Sequence, residues 1–102
     1  MHTVAETILR QLGGNKFLAM TGANNLVGSD RYLQFNVPAS LTKRKINKVW
    51  IELTEYDTYT LKAYKFNRST LECPQIGETI SNVYVETLRS AFTQLTGLET
   101  SL

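Results

Sequence analysis

Residues 47–66, NKVWIELTEYDTYTLKAYKF, contain two runs in which apolar and other side chains alternate, separated by a polar turn. Alternation of this kind predicts strands, because successive side chains of a strand point to opposite faces of a sheet. We therefore expect one strand over residues 46–53 and a second over residues 59–66, joined as an antiparallel hairpin. One face of this hairpin is apolar, whereas the other carries a tryptophan, two further aromatic residues and two lysines.

The register of the predicted hairpin follows from matching its apolar residues, since a slip of one residue would turn every side chain to the wrong face. The matching leaves a loop over residues 54–58. On the apolar face it pairs Leu53 with Tyr59, Ile51 with Leu61 and Val49 with Ala63. On the other face it pairs Glu52 with Thr60, Trp50 with Lys62, Lys48 with Tyr64 and Ile46 with Phe66.

A helix is predicted near each end of the chain. Apolar residues recur at helical spacing over residues 4–12, and the glycine pair that follows favours a helix end. Residues 82–96 form the second predicted helix, which Gly97 terminates. The side chains expected to be buried are Val4, Ile8, Leu9 and Leu12 in the first helix and Val85, Leu88, Ala91, Phe92 and Leu95 in the second.

Further strands are predicted on both sides of the hairpin. Residues 16–21 read as a strand followed by a turn at residues 22–25, and residues 31–37 alternate cleanly up to Pro38. A fifth, weaker strand over residues 71–76 contains Pro74 and would therefore lie at an edge of the sheet. In the strand predicted over residues 31–37, Leu33, Phe35 and Val37 point to one side of the sheet. Tyr32, Gln34 and Asn36 point to the other side.

The order of these elements predicts a single α+β domain over residues 1–102, a common size for one domain. We expect a mainly antiparallel sheet of four or five strands, with the N-terminal and the C-terminal helix packed on one face. The other face, which carries Trp50, would then remain open to solvent.

The composition argues against several kinds of chemistry. His2 is the only histidine and Cys73 the only cysteine, so one chain offers neither a cysteine–histidine zinc site nor a disulfide. No glycine-rich phosphate-binding or dinucleotide-binding motif is present. The carboxylates at Glu52, Glu55 and Asp57 gather around one turn, which is more often solvated than metal-binding. We expect a protein that is not an enzyme and that binds no cofactor and no metal.

The sequence also predicts a cytoplasmic protein. No apolar stretch approaches the roughly 20 residues that a membrane span requires, and residues 1–14 lack the apolar run of a signal peptide. A single cysteine suits a reducing compartment.

The outward-facing residues of the hairpin are the candidate functional site. They are Lys48, Trp50, Lys62, Tyr64 and Phe66, and we call them the aromatic–basic surface. The favoured interpretation is a protein interface, including self-association, because Trp and Tyr are enriched at interface hot spots.

Two other interpretations of the aromatic–basic surface remain open. The first is weak, largely sequence-independent binding of single-stranded nucleic acid, in which bases stack on the rings and lysines follow the phosphates. Lys43, Arg44 and Lys45 at the margin of the surface are then possible phosphate contacts. Residues 43–68 contain seven basic and three acidic residues, a local charge of +4. The second is a purely structural role, in which lysine stems cover the rings and no partner binds.

Three segments resemble a group of small uncharacterised proteins that tailed bacteriophages, prophages and plasmids encode. The segments are NKFLAMTGANN (residues 15–25), INKVWIELTEYDTYTLKAYK (46–65) and YVETLRSAFTQLTGLETSL (84–102). The resemblance implies no activity, cofactor or catalytic residue. It implies an accessory protein of a phage or mobile element in the bacterial cytoplasm, acting by binding a host or replication component.

Overall fold

The computed structural model describes residues 3–100, so that the prediction made for His2 lies outside the described residues. Among residues 3–100 there are three helices and five strands. The helices are α1 (Thr3–Leu12), α2 (Asn15–Thr21) and α3 (Leu88–Thr96). The strands are β1 (Asn24–Gly28), β2 (Tyr32–Asn36), β3 (Lys48–Leu53), β4 (Tyr59–Tyr64) and β5 (Gln75–Val83). Short 3₁₀ turns cover Ala39–Leu41, Lys43–Lys45 and Val85–Thr87.

The strands form one antiparallel sheet in the order β1-β2-β3-β4-β5, so that each strand pairs with its neighbours in sequence. The register predicted for the β3–β4 hairpin is confirmed from Leu53 opposite Tyr59 to Lys48 opposite Tyr64. Thr54 closes the loop, since its backbone N–H donates to the carbonyl of Thr58 at 2.8 Å.

The helices and the inner face of the sheet share one core, which confirms the predicted α+β arrangement. Phe17 of α2 meets Phe35 of β2 and Phe92 of α3 edge-on, with ring centroids 5.5 and 5.1 Å apart. All three rings are fully buried. Other core residues are Ala5, Ile8 and Leu12 of α1, Val49, Ile51, Leu61 and Ala63 of the hairpin, and Leu88, Ala91 and Leu95 of α3.

The strand predicted over residues 16–21 is wrong, because this segment is helix α2. Phe17 and Thr21 are its buried residues, and their spacing of four places them on one helical face. The Thr21 hydroxyl donates to the Phe17 carbonyl at 2.7 Å. The turn predicted at residues 22–25 is also partly wrong, since β1 begins at Asn24.

Two predicted boundaries near the C-terminus differ from those in the structure. The fifth strand is an edge strand as expected, but it begins at Gln75, after Pro74, and runs to Val83. Helix α3 therefore begins only at Leu88. Val85, predicted to be buried, lies in the preceding 3₁₀ turn and is 47% exposed. Gly97 ends α3 in the left-handed conformation at φ 82°, as predicted.

The predicted pairing of Ile46 with Phe66 on the outer face is wrong. Ile46 is buried, and β3 begins two residues later at Lys48. The side-chain amide of Asn47 makes hydrogen bonds to the Phe66 backbone. It accepts from the Phe66 backbone N–H at 2.7 Å and donates to the Phe66 carbonyl at 2.9 Å.

Candidate binding surface

The structure brings the five residues of the aromatic–basic surface together on the outer face of the sheet. Trp50 lies opposite Lys62 and Lys48 opposite Tyr64, while Phe66 lies two residues after the end of β4. All five are partly exposed, whereas Val49, Ile51, Leu61 and Ala63, which alternate with them in β3 and β4, are buried. The buried side chains of the described helices belong to the core on the inner face.

Tyr32 extends this surface onto β2. Its ring stacks on the Trp50 indole, with centroids 3.9 Å apart and planes inclined by 20°. Because Tyr32 pairs with Glu52, it is a diagonal cross-strand neighbour of Trp50, within reach of large side chains. Sequence reasoning did not include Tyr32 in the site. The signal was available, since Tyr32 was predicted to point away from Leu33 and Phe35.

The indole N–H of Trp50 has a hydrogen-bond partner on the same face of the sheet. The Trp50 Nε1–H donates to Glu52 Oε1 at 3.2 Å, and Glu52 follows Trp50 by two residues on the same side of β3. The indole is therefore held by a stacking partner and by a hydrogen bond. This arrangement fixes the orientation of the ring before any partner arrives.

Phe66 and Lys48 form a second contact on the outer face. The Lys48 ammonium lies 5.2 Å from the centroid of the Phe66 ring, which is the geometry of a cation–π interaction. Asn47 holds Phe66 in place through its two hydrogen bonds to the Phe66 backbone. One face of this ring is thus occupied by a cation of the same chain.

The basic loop, residues 43–45, lies beside β5 and α3 at Lys43 and Arg44. Lys43 and Arg44 line a cavity of about 430 Å³ together with Ile80 of β5 and Leu95 of α3. Arg44 and Lys45 both have a φ of 57°, so the backbone here is in the strained left-handed region. The candidate phosphate contacts Lys43 and Arg44 thus line a cavity to which no ring of the aromatic–basic surface contributes.

Within residues 3–100, no three His, Cys, Asp or Glu side chains converge to hold a metal ion. The thiol of Cys73 is free and exposed. Burial raises the pKa of Tyr59, whose hydroxyl donates to Gln11 Oε1 at 2.6 Å from the inner face. A helix with the length and apolar character to cross a membrane is not found among these residues.

The chain was compared with known proteins in three ways, and it matches no protein-family model, no curated protein and no solved structure.

Proposed function

We propose that this chain is a non-enzymatic protein-binding module that contacts its partner through the outer face of the sheet. The partner is a second copy of the chain or a host or replication protein. The proposed setting is the bacterial cytoplasm, with the chain as an accessory protein of a phage or mobile element. The observation that carries the proposal is the stacked, partly exposed pair of Tyr32 and Trp50 on a sheet face that the described helices leave free.

The chemistry of this pair suits a protein interface. Trp and Tyr dominate binding hot spots, which sit at the centre of an interface and are surrounded by more polar contacts. Gln34 and Lys62 flank Trp50 on the two neighbouring strands. Rings that already stack on each other lose little conformational freedom on binding, so less of the interaction energy is lost to ordering.

Nucleic-acid binding is the competing proposal, and two contacts weigh against it. Base stacking requires a free ring face. Tyr32 covers one face of Trp50 and the Lys48 ammonium covers one face of Phe66, so a base could stack on each of these rings from one side only. The basic loop that was expected to add phosphate contacts lines a cavity against β5 and α3.

Self-association would use the face rather than the edges of the sheet. Both edge strands carry irregularities, with a register shift between Asn24 and Val27 in β1 and two shifts along β5. Gly77 and Asn82 of β5 have positive φ angles. Bulged edges of this kind twist away from a neighbouring strand and discourage edge-to-edge pairing.

The test is site-specific photocrosslinking in bacterial cells. A benzophenone amino acid replaces Lys62, beside Trp50, and in a matched control it replaces Tyr56, which is 86% exposed in the β3–β4 loop. We expect discrete protein adducts from position 62, lost when Trp50→Ala is added, and none from position 56. Sedimentation from about 1 μM to 1 mM then identifies a homo-oligomer, in the affinity range of weak to moderate association.

Three outcomes would contradict the proposal: equal labelling from both positions, adducts unaffected by Trp50→Ala, or nucleic acid as the labelled species. Titration with single-stranded oligonucleotide at two salt concentrations checks the last one. If about four cations contact phosphates, log affinity falls with log salt with a slope near −3.

A further inference from the structure

A second feature of the outer face is a cavity of about 360 Å³ beside Phe66. Asn24, Asn36 and Lys48 reach it as cross-strand neighbours at one end of β1, β2 and β3, and Arg68 reaches it from the loop after β4. Lys48 and Arg68 bring two positive charges, and no Asp or Glu lines this cavity. Its electrostatic character is therefore that of an anion site.

Several hydrogen-bond donors at the cavity are free to meet a ligand. The Asn36 side chain makes no hydrogen bond to any residue within 3–100, and Asn24 uses only one of its amide hydrogens, donating to the Gly22 carbonyl at 3.0 Å. The Lys48 ammonium and the Arg68 guanidinium supply further N–H groups. A carboxylate or phosphate accepts several such bonds at once.

The walls of the cavity are held in place before a ligand binds. Asn47 fixes the Phe66 backbone with two hydrogen bonds. The loop that carries Arg68 is closed by Asn67, whose side-chain oxygen accepts from the Ser69 backbone N–H at 2.9 Å. The Asn67 carbonyl accepts from the Leu71 N–H at 2.7 Å. A preorganised site loses less free energy to ordering when it binds.

We propose that this cavity binds the carboxylate of an acidic side chain presented by the partner protein. A planar carboxylate matches the two-pronged guanidinium of Arg68. A nucleobase fits less well, because the Lys48 ammonium already lies over one face of Phe66. The identity of the carboxylate's source rests on the proposed function, whereas the existence of the anion site does not.

The test is an NMR titration of the isotopically labelled chain with N-acetyl-glutamate N-methylamide, which carries one carboxylate. The matched probe is the corresponding glutamine derivative, which carries none. We expect the glutamate probe alone to shift the Asn36 side-chain amide signals and the backbone signals of Lys48 and Arg68. Arg68→Gln and Lys48→Gln should each weaken binding about tenfold, the usual effect of removing a charged hydrogen-bond donor.

The control variant is Lys16→Gln, which removes the same charge from an exposed position on α2 and should leave the affinity unchanged. Chemical-shift dispersion confirms that each variant is folded. Equal shifts from the glutamine probe, or unchanged affinity in Arg68→Gln, would overturn the proposal. So would a tetrathymidylate that shifts the same signals and binds more tightly than the glutamate probe.

The two proposals fail separately. If the cavity binds the glutamate probe but position 62 gives no protein crosslinks, the anion site is supported and the protein interface is contradicted. If position 62 gives protein crosslinks but the glutamate probe causes no shifts, the protein interface is supported and the anion site is contradicted.

Discussion

The ring of Tyr32 lies almost parallel to the indole of Trp50, with 3.9 Å between their centroids, although the two residues are on different strands. The contact joins β2 to β3 on the outer face, where the described helices contribute no core packing. Aromatic pairs of this kind stabilise a sheet beyond the area that they bury. The same contact can therefore serve the stability of the sheet and the recognition of a partner.

We expect Tyr32 and Trp50 to be energetically coupled in the free chain. In a double-mutant cycle of Tyr32→Ala and Trp50→Ala, the coupling free energy should be about 1 kcal/mol. Urea unfolding followed by circular dichroism measures it, because Trp50 is the only tryptophan and tryptophan fluorescence is lost in the variants that carry Trp50→Ala.

The matched cycle pairs Tyr32→Ala with Tyr64→Ala. Tyr64 is on the same face but opposite Lys48 on β4, two strands away from Tyr32. Its coupling to Tyr32 should be below about 0.5 kcal/mol, as for distant sites. A Tyr32–Trp50 coupling no larger than this control would show that the stack does not stabilise the sheet.

The central hairpin could be predicted closely because its signals are local. Strict alternation, one short loop and one matching of apolar residues leave a single register, and the structure has that register over β3 and β4. The prediction failed at Ile46, where the side chain of Asn47 replaces backbone pairing. Hydrogen bonds from a side chain to the backbone of a neighbouring segment cannot be predicted from hydrophobic periodicity.

Helix α2 was missed for a different reason. Its seven residues are too few for periodicity to separate a helix from a strand. What decides the conformation is the tertiary contact of Phe17 with Phe35 and Phe92. The contribution of Tyr32 to the outer face was predictable in its direction, but the stack required knowing that β2 pairs with β3.

Phe17→Ala should be among the most destabilising single substitutions. The ring is fully buried between Phe35 and Phe92, so its removal leaves a cavity at the junction of α2, β2 and α3. We expect a loss of about 3–5 kcal/mol in the free energy of unfolding. Such a loss is a large share of the roughly 5–15 kcal/mol that holds a typical domain.

Chemical denaturation of Phe17→Ala and of Leu41→Ala provides the comparison. Leu41 is 62% exposed, and its truncation should change the free energy of unfolding by no more than about 0.5 kcal/mol. A Phe17 variant as stable as the Leu41 variant would contradict the core that we describe.

Asn47→Ala should destabilise the chain through the backbone of Phe66. The substitution removes the two hydrogen bonds that Asn47 makes to Phe66 and leaves both backbone groups without that partner. We expect a loss of about 1–3 kcal/mol, measured by urea unfolding. Asn36→Ala is the control at the same cavity, because the Asn36 side chain bonds to no residue within 3–100. Equal stability of the two variants would show that the two hydrogen bonds from Asn47 to the Phe66 backbone do not stabilise the chain.

The stability of the chain should depend on Tyr59 at high pH. Burial raises the pKa of Tyr59 above its ordinary value of 10.0 in the folded state. In the unfolded chain the phenol ionises at about 10, so the unfolded state loses its proton first as the pH rises. The contribution of the neutral Tyr59 phenol to the free energy of unfolding is therefore complete below about pH 10. It is lost as the pH rises through the folded-state pKa.

Tyr59→Phe isolates this contribution. At neutral pH the variant should be less stable by about 1 kcal/mol, since it lacks the hydrogen bond to Gln11. Between about pH 9 and pH 11 its free energy of unfolding should fall less than that of the unaltered chain. Tyr56→Phe removes the same hydroxyl from a side chain that is 86% exposed, and at neutral pH it should change the free energy of unfolding by no more than about 0.5 kcal/mol. Parallel profiles for Tyr59→Phe and the unaltered chain would mean that burial does not hold the Tyr59 phenol in its neutral form.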